Sequence, residues 1–528
     1  MRAYIFMKNK KKSSILRTLF LFVLYQIIFV SIAYFLLKRV GAFGCFDDCF
    51  NFGAGDFILQ GKQLYSQIFF NHQPFMAYIS AAIQYVTHPE TLFELVKYHR
   101  ITALVFANIC GSFLIARFGF PMFLSLTIFE LTKFYIFGDR FLAEGMIVYP
   151  MMYLTMLIGQ ALVKNRIYAW EYVLVTVCSW FIFWMREPFM PWALIALGVL
   201  FALRCKDKNN RKPIWIGLSV FAFLHFVTVA FLPMSEYLFN VIVANVQHEI
   251  VVQPWTLKTV MHIVLYPAFV LFGGFGTPFQ NVLWVLSGLF SLGFVFELVW
   301  KKRYGIVAIL LTLLALANLR VVPVGSLYYD AFHMIPWYGI FLTVLAMSIS
   351  TIWHEKKTKI YAVIAVGVVM FVTVFASISS QSFMRESIDT QTEFTNGYGN
   401  YFVKGEVIKI LAQTGDTMFV EMWEDPIYFV AGVPTAYKYS WYTSIMPFFP
   451  MYRIAREEMF ENNPPTFYVG ACRKGETDSF ALSDTDKQYY VQLLNSGNPS
   501  CVYIRNTIVP RITGEVSTRI KIYGYSIP

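Results

Sequence analysis

Long apolar runs separated by short polar clusters occupy most of the first 380 residues of the chain. Four typical runs cover 18–37, 101–116, 213–232 and 360–379. A helix needs about 20 apolar residues to cross a hydrocarbon layer of about 30 Å. A transmembrane β-barrel would instead show short segments of alternating hydrophobicity. The pattern therefore predicts an α-helical polytopic membrane protein.

Basic residues set the predicted orientation of these helices. They cluster at 8–17, 164–166, 204–212, 301–303 and 356–359, and loops rich in Lys and Arg stay in the cytoplasm. This rule places the N-terminus in the cytoplasm and predicts spans at about 18–37, 98–116, 118–136, 142–162, 168–185, 188–203, 213–232, 281–299, 304–318, 334–352 and 360–379. Segment 233–280 contains either a re-entrant stretch near 260–274 or a second short crossing near 237–246. The total is therefore about 11 to 13 transmembrane helices.

Two segments have a composition that does not suit the membrane interior. The first is a loop at about 38–97, whose apolar stretch 75–86 is too short to span and is expected to lie along the membrane interface. In the second, from residue 381, apolar runs shorten to strand length, at 417–420, 427–430, 466–469 and 501–504. We therefore predict a membrane domain at 1–380 and a small extracytoplasmic α/β or α+β domain at 381–528.

Composition supports this class and argues against nucleic-acid binding. Hydrophobic residues make up 57% of the chain and charged residues only 14%, whereas soluble domains carry about 25% charged residues. The net charge of +11 comes from the short cytoplasmic clusters. The seven cysteines lack metal-finger spacing. Cys45 and Cys49 are expected to be incidental or disulfide-linked rather than metal ligands, and a disulfide between Cys472 and Cys501 is compatible with the tail.

The predicted topology gathers the unusual polar residues on the extracytoplasmic side. They are Asp47, Asp48, Asp56, Lys62, Tyr65 and His72 in the first loop, then Asp139, Arg140, Glu144, Arg186, Glu187, His248, Glu249, Arg320, Tyr328, Tyr329, Asp330 and His333. Each group also has an ordinary interpretation, as a snorkelling arginine, a helix cap or an interfacial aromatic. Their shared side favours a site for an anionic, lipid-borne substrate, with a carboxylate as base and a cation on the phosphate.

The first loop resembles that of GT-C glycosyltransferases, a superfamily that includes bacterial protein O-mannosyltransferases and lipid A aminoarabinose transferases. The shared pattern is an acidic pair, a helix ending in Ile-Leu-x-Gly, a Tyr shortly after, and an aromatic-(Asp/Asn)-x-Lys-Pro-Pro turn. This chain has Asp47-Asp48, then Ile58-Leu59-Gln60-Gly61, Tyr65, and Phe70-Asn71-His72-Gln73-Pro74. Segments 139–144 and 328–336 and the tail resemble later parts of such enzymes.

The resemblance implies a polyprenyl-phosphate sugar donor in the outer leaflet of a bacterial cytoplasmic (inner) membrane. Asp47, or as second choice Asp48, would deprotonate an acceptor hydroxyl, which attacks the anomeric carbon with inversion. Candidate substrate-binding residues are Lys62, Tyr65, His72, Asp139, Arg140, Glu144, Arg186, Arg320, Tyr329 and His333. Because Gln73 stands where the family often has a lysine, Lys62, Arg140 or Arg186 would supply the charge on the phosphate. No cofactor is predicted, and a divalent metal is the less favoured expectation.

Two other functions remain as alternatives. A lipid-linked sugar transporter or flippase would need a polar pathway across the bilayer and often shows repeated halves, but the sequence shows no repeat. A polysaccharide polymerase or ligase would use a lipid diphosphate donor. The acidic first loop and the soluble tail favour the glycosyltransferase, whose acceptor would be an envelope glycan, a lipid or a protein.

Overall fold

The computed structural model describes residues 2–45, 47–162, 167–247, 256–273, 278–295, 302–319, 331–353, 386–421, 426–470 and 482–528. The chain divides into two compact units. The helical unit comprises 1–40, 100–231 and 254–387, and the sheet unit comprises 41–99, 232–253 and 388–528. The first loop and the tail therefore belong to one unit, which residue order alone does not indicate.

Helices dominate the described residues. They are α1 Arg2–Leu37, α2 Asp48–Leu59, α3 Phe75–Thr87, α4 Leu92–Phe118, α5 Phe120–Thr132, α6 Ala143–Leu162, α7 Ala169–Met185, α8 Met190–Arg204, α9 Lys208–Ala230, α10 Met234–Leu238, α11 Leu257–Phe272, α12 Pro278–Val295, α13 Tyr304–Leu316, α14 Ile335–Trp353, α15 Gln391–Leu411, α16 Pro426–Ala431, α17 Pro450–Asn462, α18 Asp484–Lys487 and α19 Gly514–Lys521. The strands are β1 Met418–Val420, β2 Phe467–Val469, β3 Tyr490–Asn495, β4 Asn498–Arg505 and β5 Tyr525–Ser526.

Six helical segments within the described residues are long and apolar enough to cross a membrane. They are Leu16–Leu37, Leu92–Phe118, Ala143–Leu162, Glu187–Arg204, Lys208–Ala230 and Ala331–Ser348. Four shorter apolar helices accompany them, including α3 and α7. The prediction of a polytopic helical membrane protein is therefore confirmed. The figure of about 11 to 13 spans stays a prediction, and the predicted span 360–379 lies outside the described residues.

Helices α6 and α14 form the interior of the helical unit. In the apolar parts of these two helical segments, 78% and 83% of the residues are buried, whereas only 17% are buried in α9. Close approach of the two helices depends on small residues. A Cβ atom added at Gly339 would meet Val148 and Met152, and one added at Gly159 would meet Met347. Exposed apolar side chains on α9 suit contact with lipid, because the bilayer replaces water as the solvent for those faces.

A buried ionic cluster joins α4 and α7 near the C-terminal end of α6. Arg117 donates from Nε to Glu171 Oε1 at 2.6 Å and from Nη2 to Gln160 Oε1 at 3.1 Å. Tyr153 also donates to Glu171 Oε1, at 3.3 Å. Because Glu171 is fully buried and a buried carboxylate needs several partners, these contacts hold the three helices in one arrangement.

Two predicted helix boundaries differ from the observed ones. The span predicted at 118–136 ends as an α-helix at Thr132 and continues as the 3₁₀ turn Lys133–Ile136. The Gly138 N–H donates to the Lys133 carbonyl at 2.8 Å, which closes the turn. Helix α9 begins inside the predicted basic loop, because the Asp207 side chain accepts the Asn209 N–H at 3.0 Å and caps the helix.

The sheet unit contains a five-stranded sheet with strand order β1-β2-β4-β3-β5. Strands β1 and β2 are parallel, whereas β2–β4, β3–β4 and β3–β5 are antiparallel. The expected small sheet-containing domain is thus present. The strand predicted at 427–430 is wrong, because this run lies in helix α16. A short apolar run fits a buried helix as well as a strand, and Pro426 at its first position favours a helix start.

The first loop is bound to the tail by hydrogen bonds within the sheet unit. The Phe69 N–H donates to the Tyr439 carbonyl at 3.2 Å, and Ser440 Oγ donates to the Gln67 carbonyl at 2.9 Å. Aromatic rings add to this contact, since Trp441 lies 5.0 Å from Phe50 between ring centroids. The loop and the tail, predicted separately to be extracytoplasmic, therefore form one folded structure.

Helix α10 and its π-helical continuation Phe239–Ala244 also belong to the sheet unit. Asn240 Oδ1 accepts the Phe70 N–H at 3.3 Å, and Asn245 Nδ2 donates to the Asn71 carbonyl at 2.6 Å. The helical stretch is described from Met234 to residue 247, and at 1.5 Å per residue it extends about 21 Å, less than the about 30 Å of a hydrocarbon core. The choice between a second short crossing near 237–246 and a re-entrant stretch near 260–274 stays a prediction.

Replacing Arg456 by alanine should destabilise the sheet unit. Arg456 Nε donates to Glu421 Oε1 at 2.6 Å, and the Tyr468 hydroxyl donates to Glu421 Oε2 at 2.5 Å. Glu421 is fully buried, so Arg456→Ala leaves its charge poorly compensated, at about 3 to 5 kcal/mol. A thermal unfolding experiment on the full chain should show a clear fall in Tm.

Arg453→Ala is the matched control, because Arg453 is exposed on the same helix and surface pairs contribute little. Equal Tm values for the two variants would contradict a stabilising role for the buried pair.

Candidate functional site

Three predicted site residues meet in the helical unit. Arg186 Nε donates to Glu144 Oε1 at 3.0 Å, and His333 Nδ1 lies 3.1 Å from the same oxygen. We define the Glu144 cluster as Asp139, Arg140, Glu144, Arg186, Glu187 and His333. Arg186 Nη1 also lies 3.6 Å from Glu187 Oε1, and Arg140 Nε lies 3.8 Å from Asp139 Oδ1. The sequence grouped these residues by predicted side of the membrane, and the structure brings Glu144, Arg186, Glu187 and His333 into contact. Asp139 and Arg140 lie shortly before Glu144 in the chain.

The central groups lie at helix ends and in the turns between helices. Glu144 lies in the first turn of α6, where the helix dipole favours a negative charge. Arg186 adopts an extended conformation directly after α7 and before the 3₁₀ turn Glu187–Phe189. His333 lies on the 3₁₀ turn Ala331–Met334, directly before α14. Each group is therefore at the end of a membrane helix or of the turn that precedes it.

The central residues of the cluster are buried, Asp139 and Glu187 are partly buried, and the six residues together are nearly balanced in charge. Glu144 is 1% exposed, and Arg186 and His333 are each 6% exposed. Two arginines face three carboxylates, which leaves one negative charge when His333 is neutral and none when it is protonated. Buried charges are tolerated only when they are paired. Glu144 thus holds the Arg186 guanidinium in place by accepting its Nε–H.

A second buried polar group lies deeper along α6 and was missed by the sequence analysis. Lys133 Nζ lies 2.6 Å from Glu130 Oε2 and donates to the Tyr149 hydroxyl at 2.9 Å, which in turn donates to Glu130 Oε1 at 2.7 Å. Tyr149 follows Glu144 by five residues, about 7.5 Å along the helix. The signal was present, since Glu130 and Lys133 are ionisable residues inside a predicted span.

The predicted catalytic aspartates differ in exposure within the sheet unit. Asp47 is exposed and Asp48 is fully buried at the first position of α2. A disulfide between Cys45 and Cys49 encloses the pair, so the expectation of disulfide-linked cysteines is confirmed. Cys501 is also disulfide-bonded, whereas its predicted partner Cys472 lies outside the described residues. An exposed carboxylate suits a base that must reach an incoming acceptor.

Other first-loop candidates mainly shape the loop. Tyr65 is 1% exposed, has φ +70° and donates its hydroxyl to the His72 carbonyl at 2.9 Å. The His72 ring packs edge-on against Phe50 and Phe70. Lys62 is partly buried, which lowers its pKa below the usual value. A positive φ at a non-glycine residue persists only where neighbours enforce it, so Tyr65 fixes the loop rather than presenting a free hydroxyl.

The remaining predicted site residues lie outside the described residues. These are Arg320, Tyr328, Tyr329 and Asp330 before α14, and His248 and Glu249 after α10.

Among the described side chains, no group of three or more His, Cys, Asp or Glu residues is placed to hold a metal ion. The absence of a metal requirement stays a prediction.

Comparisons with known proteins give a distant structural likeness and no match by sequence. No protein-family model matches the chain, and no curated protein matches its sequence. Among solved structures, the chain is similar to the apo form of the Archaeoglobus fulgidus oligosaccharyltransferase, at 11% identity and a TM-score of 0.36. The match covers 90% of this chain and 73% of that one. This likeness is too distant to carry an argument about the present chain.

Glu144→Ala should destabilise the helical unit. The substitution leaves Arg186 and His333 buried beside each other without their shared carboxylate, which is expected to cost about 3 to 5 kcal/mol. Thermal unfolding of the purified full chain should show a lower Tm. Glu236→Ala, which removes an exposed carboxylate, is the control and should leave Tm unchanged. Equal Tm values for wild type and Glu144→Ala would contradict the structural importance of the cluster.

The first loop should show a pH-dependent stability that originates from Asp56. Burial raises the pKa of Asp56 from 3.8 to about 6, against the opposing effect of a hydrogen bond from Gln60. Because the folded state binds the proton more tightly than the unfolded chain, this stabilisation is complete below pH of about 4 and is lost as the pH rises through about 6.

Asp56→Asn should abolish that loss. The Tm of Asp56→Asn should equal that of wild type below a pH of about 4. The difference between the two Tm values should then grow with pH and become constant above the folded-state pKa of Asp56, about 6. Asp484→Asn is the control, because the Asp484 side chain is 99% exposed. A constant Tm difference across this pH range would contradict a raised pKa at Asp56.

Proposed function

We propose that this protein is a membrane glycosyltransferase of the GT-C type. It would move a sugar from a polyprenyl-phosphate donor to an extracytoplasmic acceptor, with inversion at the anomeric carbon. The observation that carries the proposal is the Glu144 cluster, in which buried charges from three separate chain segments converge at helix ends of a membrane protein. Ionisable groups are expensive at such positions and are functional candidates by default.

The first role belongs to the arginines of the cluster. Breaking the bond between the sugar and the lipid phosphate places negative charge on the phosphate oxygen. Prepositioned donors aimed at developing charge lower the barrier most effectively, and Arg186 is held in place by Glu144 at 3.0 Å. Because the cluster has no excess positive charge, binding of the phosphate to Arg186 or Arg140 requires redistribution of their ion pairs. We propose that these arginines act on the leaving phosphate, with His333 orienting Glu144.

The second role belongs to the first loop. A base must take the proton of the acceptor hydroxyl as that oxygen attacks the anomeric carbon. The exposed Asp47 is our first choice and the buried Asp48 our second. The disulfide between Cys45 and Cys49 restricts the backbone around both residues. Both aspartates remain candidates for the general base, and substituting each one separately distinguishes between them.

A transporter is less well supported by the polar groups that the structure describes. A pathway for a sugar headgroup would need polar side chains available along the membrane interior. The Glu130, Lys133 and Tyr149 side chains instead satisfy one another by direct contacts. Glu130 and Lys133 form an ion pair at the end of α5, and the Tyr149 hydroxyl links this pair to α6.

Asp47→Asn should abolish transfer while donor binding persists. Removal of a general base typically lowers the rate about 10²- to 10⁴-fold. The assay would use purified full-length protein, a panel of radiolabelled polyprenyl-phosphate sugars and envelope extracts, with kcat and donor KM measured separately.

Asp56→Asn is the matched control in the same helix and should transfer at the wild-type rate. Loss of activity in Asp48→Asn alone would assign the base to the second aspartate. Transfer at the wild-type rate in both Asp47→Asn and Asp48→Asn would overturn the assignment of the base to this pair.

A further inference from the structure

The sheet unit exposes apolar side chains on two elements that pack against each other. We define the apolar patch as Leu238, Ile242, Val246, Phe448, Met451 and Ile454. Their exposed fractions lie between 39% and 54%. The first three recur every four residues along the helical stretch that begins with α10 and ends at residue 247. Single exposed apolar residues are ordinary, but a continuous set marks a surface that contacts something other than water.

Direct contacts join the two halves of the patch. The Phe239 ring lies 5.4 Å from Phe449 and 6.1 Å from Tyr452 between centroids. The Tyr452 hydroxyl also donates to Asn240 Oδ1 at 3.3 Å. These contacts lie between residues directly adjacent in sequence to the exposed Leu238, Phe448 and Met451. The exposed side chains thus border one packed interface rather than two unrelated surfaces.

Chain continuity identifies the partner as the lipid bilayer. Helix α9 is a candidate membrane span that ends at Ala230, and Leu238 follows eight residues later. Since α10 is helical from Met234, these residues extend at most about 20 Å. Chain length therefore keeps the first residue of the patch within about 20 Å of the end of a candidate spanning helix, close enough for an apolar helix face to reach the headgroup and acyl boundary.

Helix α17 has an apolar first half and an acidic second half, which suits a helix inserted obliquely into the membrane surface. Met451 and Ile454 lie in its first half, whereas Glu457, Glu458 and Glu461 occupy the exposed positions of the second half. The basic residues Arg453 and Lys438 are exposed near the apolar end, and Lys438 lies over the ring of Tyr439. Basic residues beside an apolar face favour anionic lipid headgroups, while the acidic half favours water.

We propose that the apolar patch docks the sheet unit onto the bilayer, with the start of α17 in the lipid and its acidic end in water. This contact restrains the tail at the membrane surface independently of its covalent link to the membrane helices. It does not depend on the glycosyltransferase proposal, because it concerns attachment and not chemistry.

The test is a depth measurement along one face of α17 in the full chain. Single cysteines would be introduced as Met451→Cys, Ile454→Cys, Glu458→Cys and Glu461→Cys. The background would have the free cysteines Cys110, Cys178 and Cys205 replaced by serine. Each variant would carry an environment-sensitive fluorophore and be placed, one copy per disc, in nanodiscs of phosphatidylethanolamine and phosphatidylglycerol. Positions 451 and 458 are about 10.5 Å apart along the helix.

Docking predicts at least about twofold stronger quenching by spin-labelled lipid at 451 and 454 than at 458 and 461, with the opposite order for aqueous iodide. Ile454→Glu should reduce lipid quenching of a label at 451, while Glu461→Gln should not. Equal iodide access at all four positions would overturn the proposal. Protection from iodide without lipid quenching would also overturn it, because protein would then cover the patch.

Discussion

The helical unit depends on the burial of the Glu144 carboxylate between Arg186 and His333. A buried charge without partners costs several kcal/mol, so folding requires α6, the end of α7 and the turn before α14 to meet at this carboxylate. Arg186 and His333 meet this requirement, because they contact Glu144 Oε1 at 3.0 and 3.1 Å. The Arg117–Glu171 pair, with Gln160, applies the same constraint near the other end of α6. Apolar packing against Gly339 and Gly159 then brings α6 and α14 together.

In the sheet unit, the central constraint is that the first loop is held against the C-terminal segment that contains the sheet. Segment 60–74, between α2 and α3, lies outside the helices, so its polar backbone groups need partners from other segments. Asn240, Asn245 and the carbonyl of Tyr439 supply them, and Trp441 and Phe50 provide apolar contact. Asp47 and Asp48 are therefore held by a folded structure rather than carried on a free loop.

Sequence reasoning worked where one strong physical requirement acted alone. The length of an apolar run predicts a membrane helix, and α6, α7 and α8 lie close to their predicted ranges. Grouping ionisable residues by membrane side also anticipated the meeting of Glu144, Arg186 and His333. It failed where local contacts decide the outcome, as at 427–430, where an apolar run became a buried helix. The pairing of Glu130 and Lys133 was also missed, although their i, i+3 spacing places both on one helix face, because the Tyr149 partner comes from a different helix.

The central claim is that a sugar–phosphate bond of a lipid donor is cleaved, and the lipid product tests this most directly. Mass spectrometry of lipids extracted from proteoliposomes after incubation with donor and acceptor would identify that product, and NMR would give the anomeric configuration of the glycosylated acceptor. We expect one polyprenyl monophosphate to be released for each acceptor that is glycosylated. The sugar on the acceptor should have the anomeric configuration opposite to that in the donor. Intact donor recovered from the opposite leaflet without cleavage, or release of polyprenyl diphosphate, would contradict it in favour of a flippase or a polymerase.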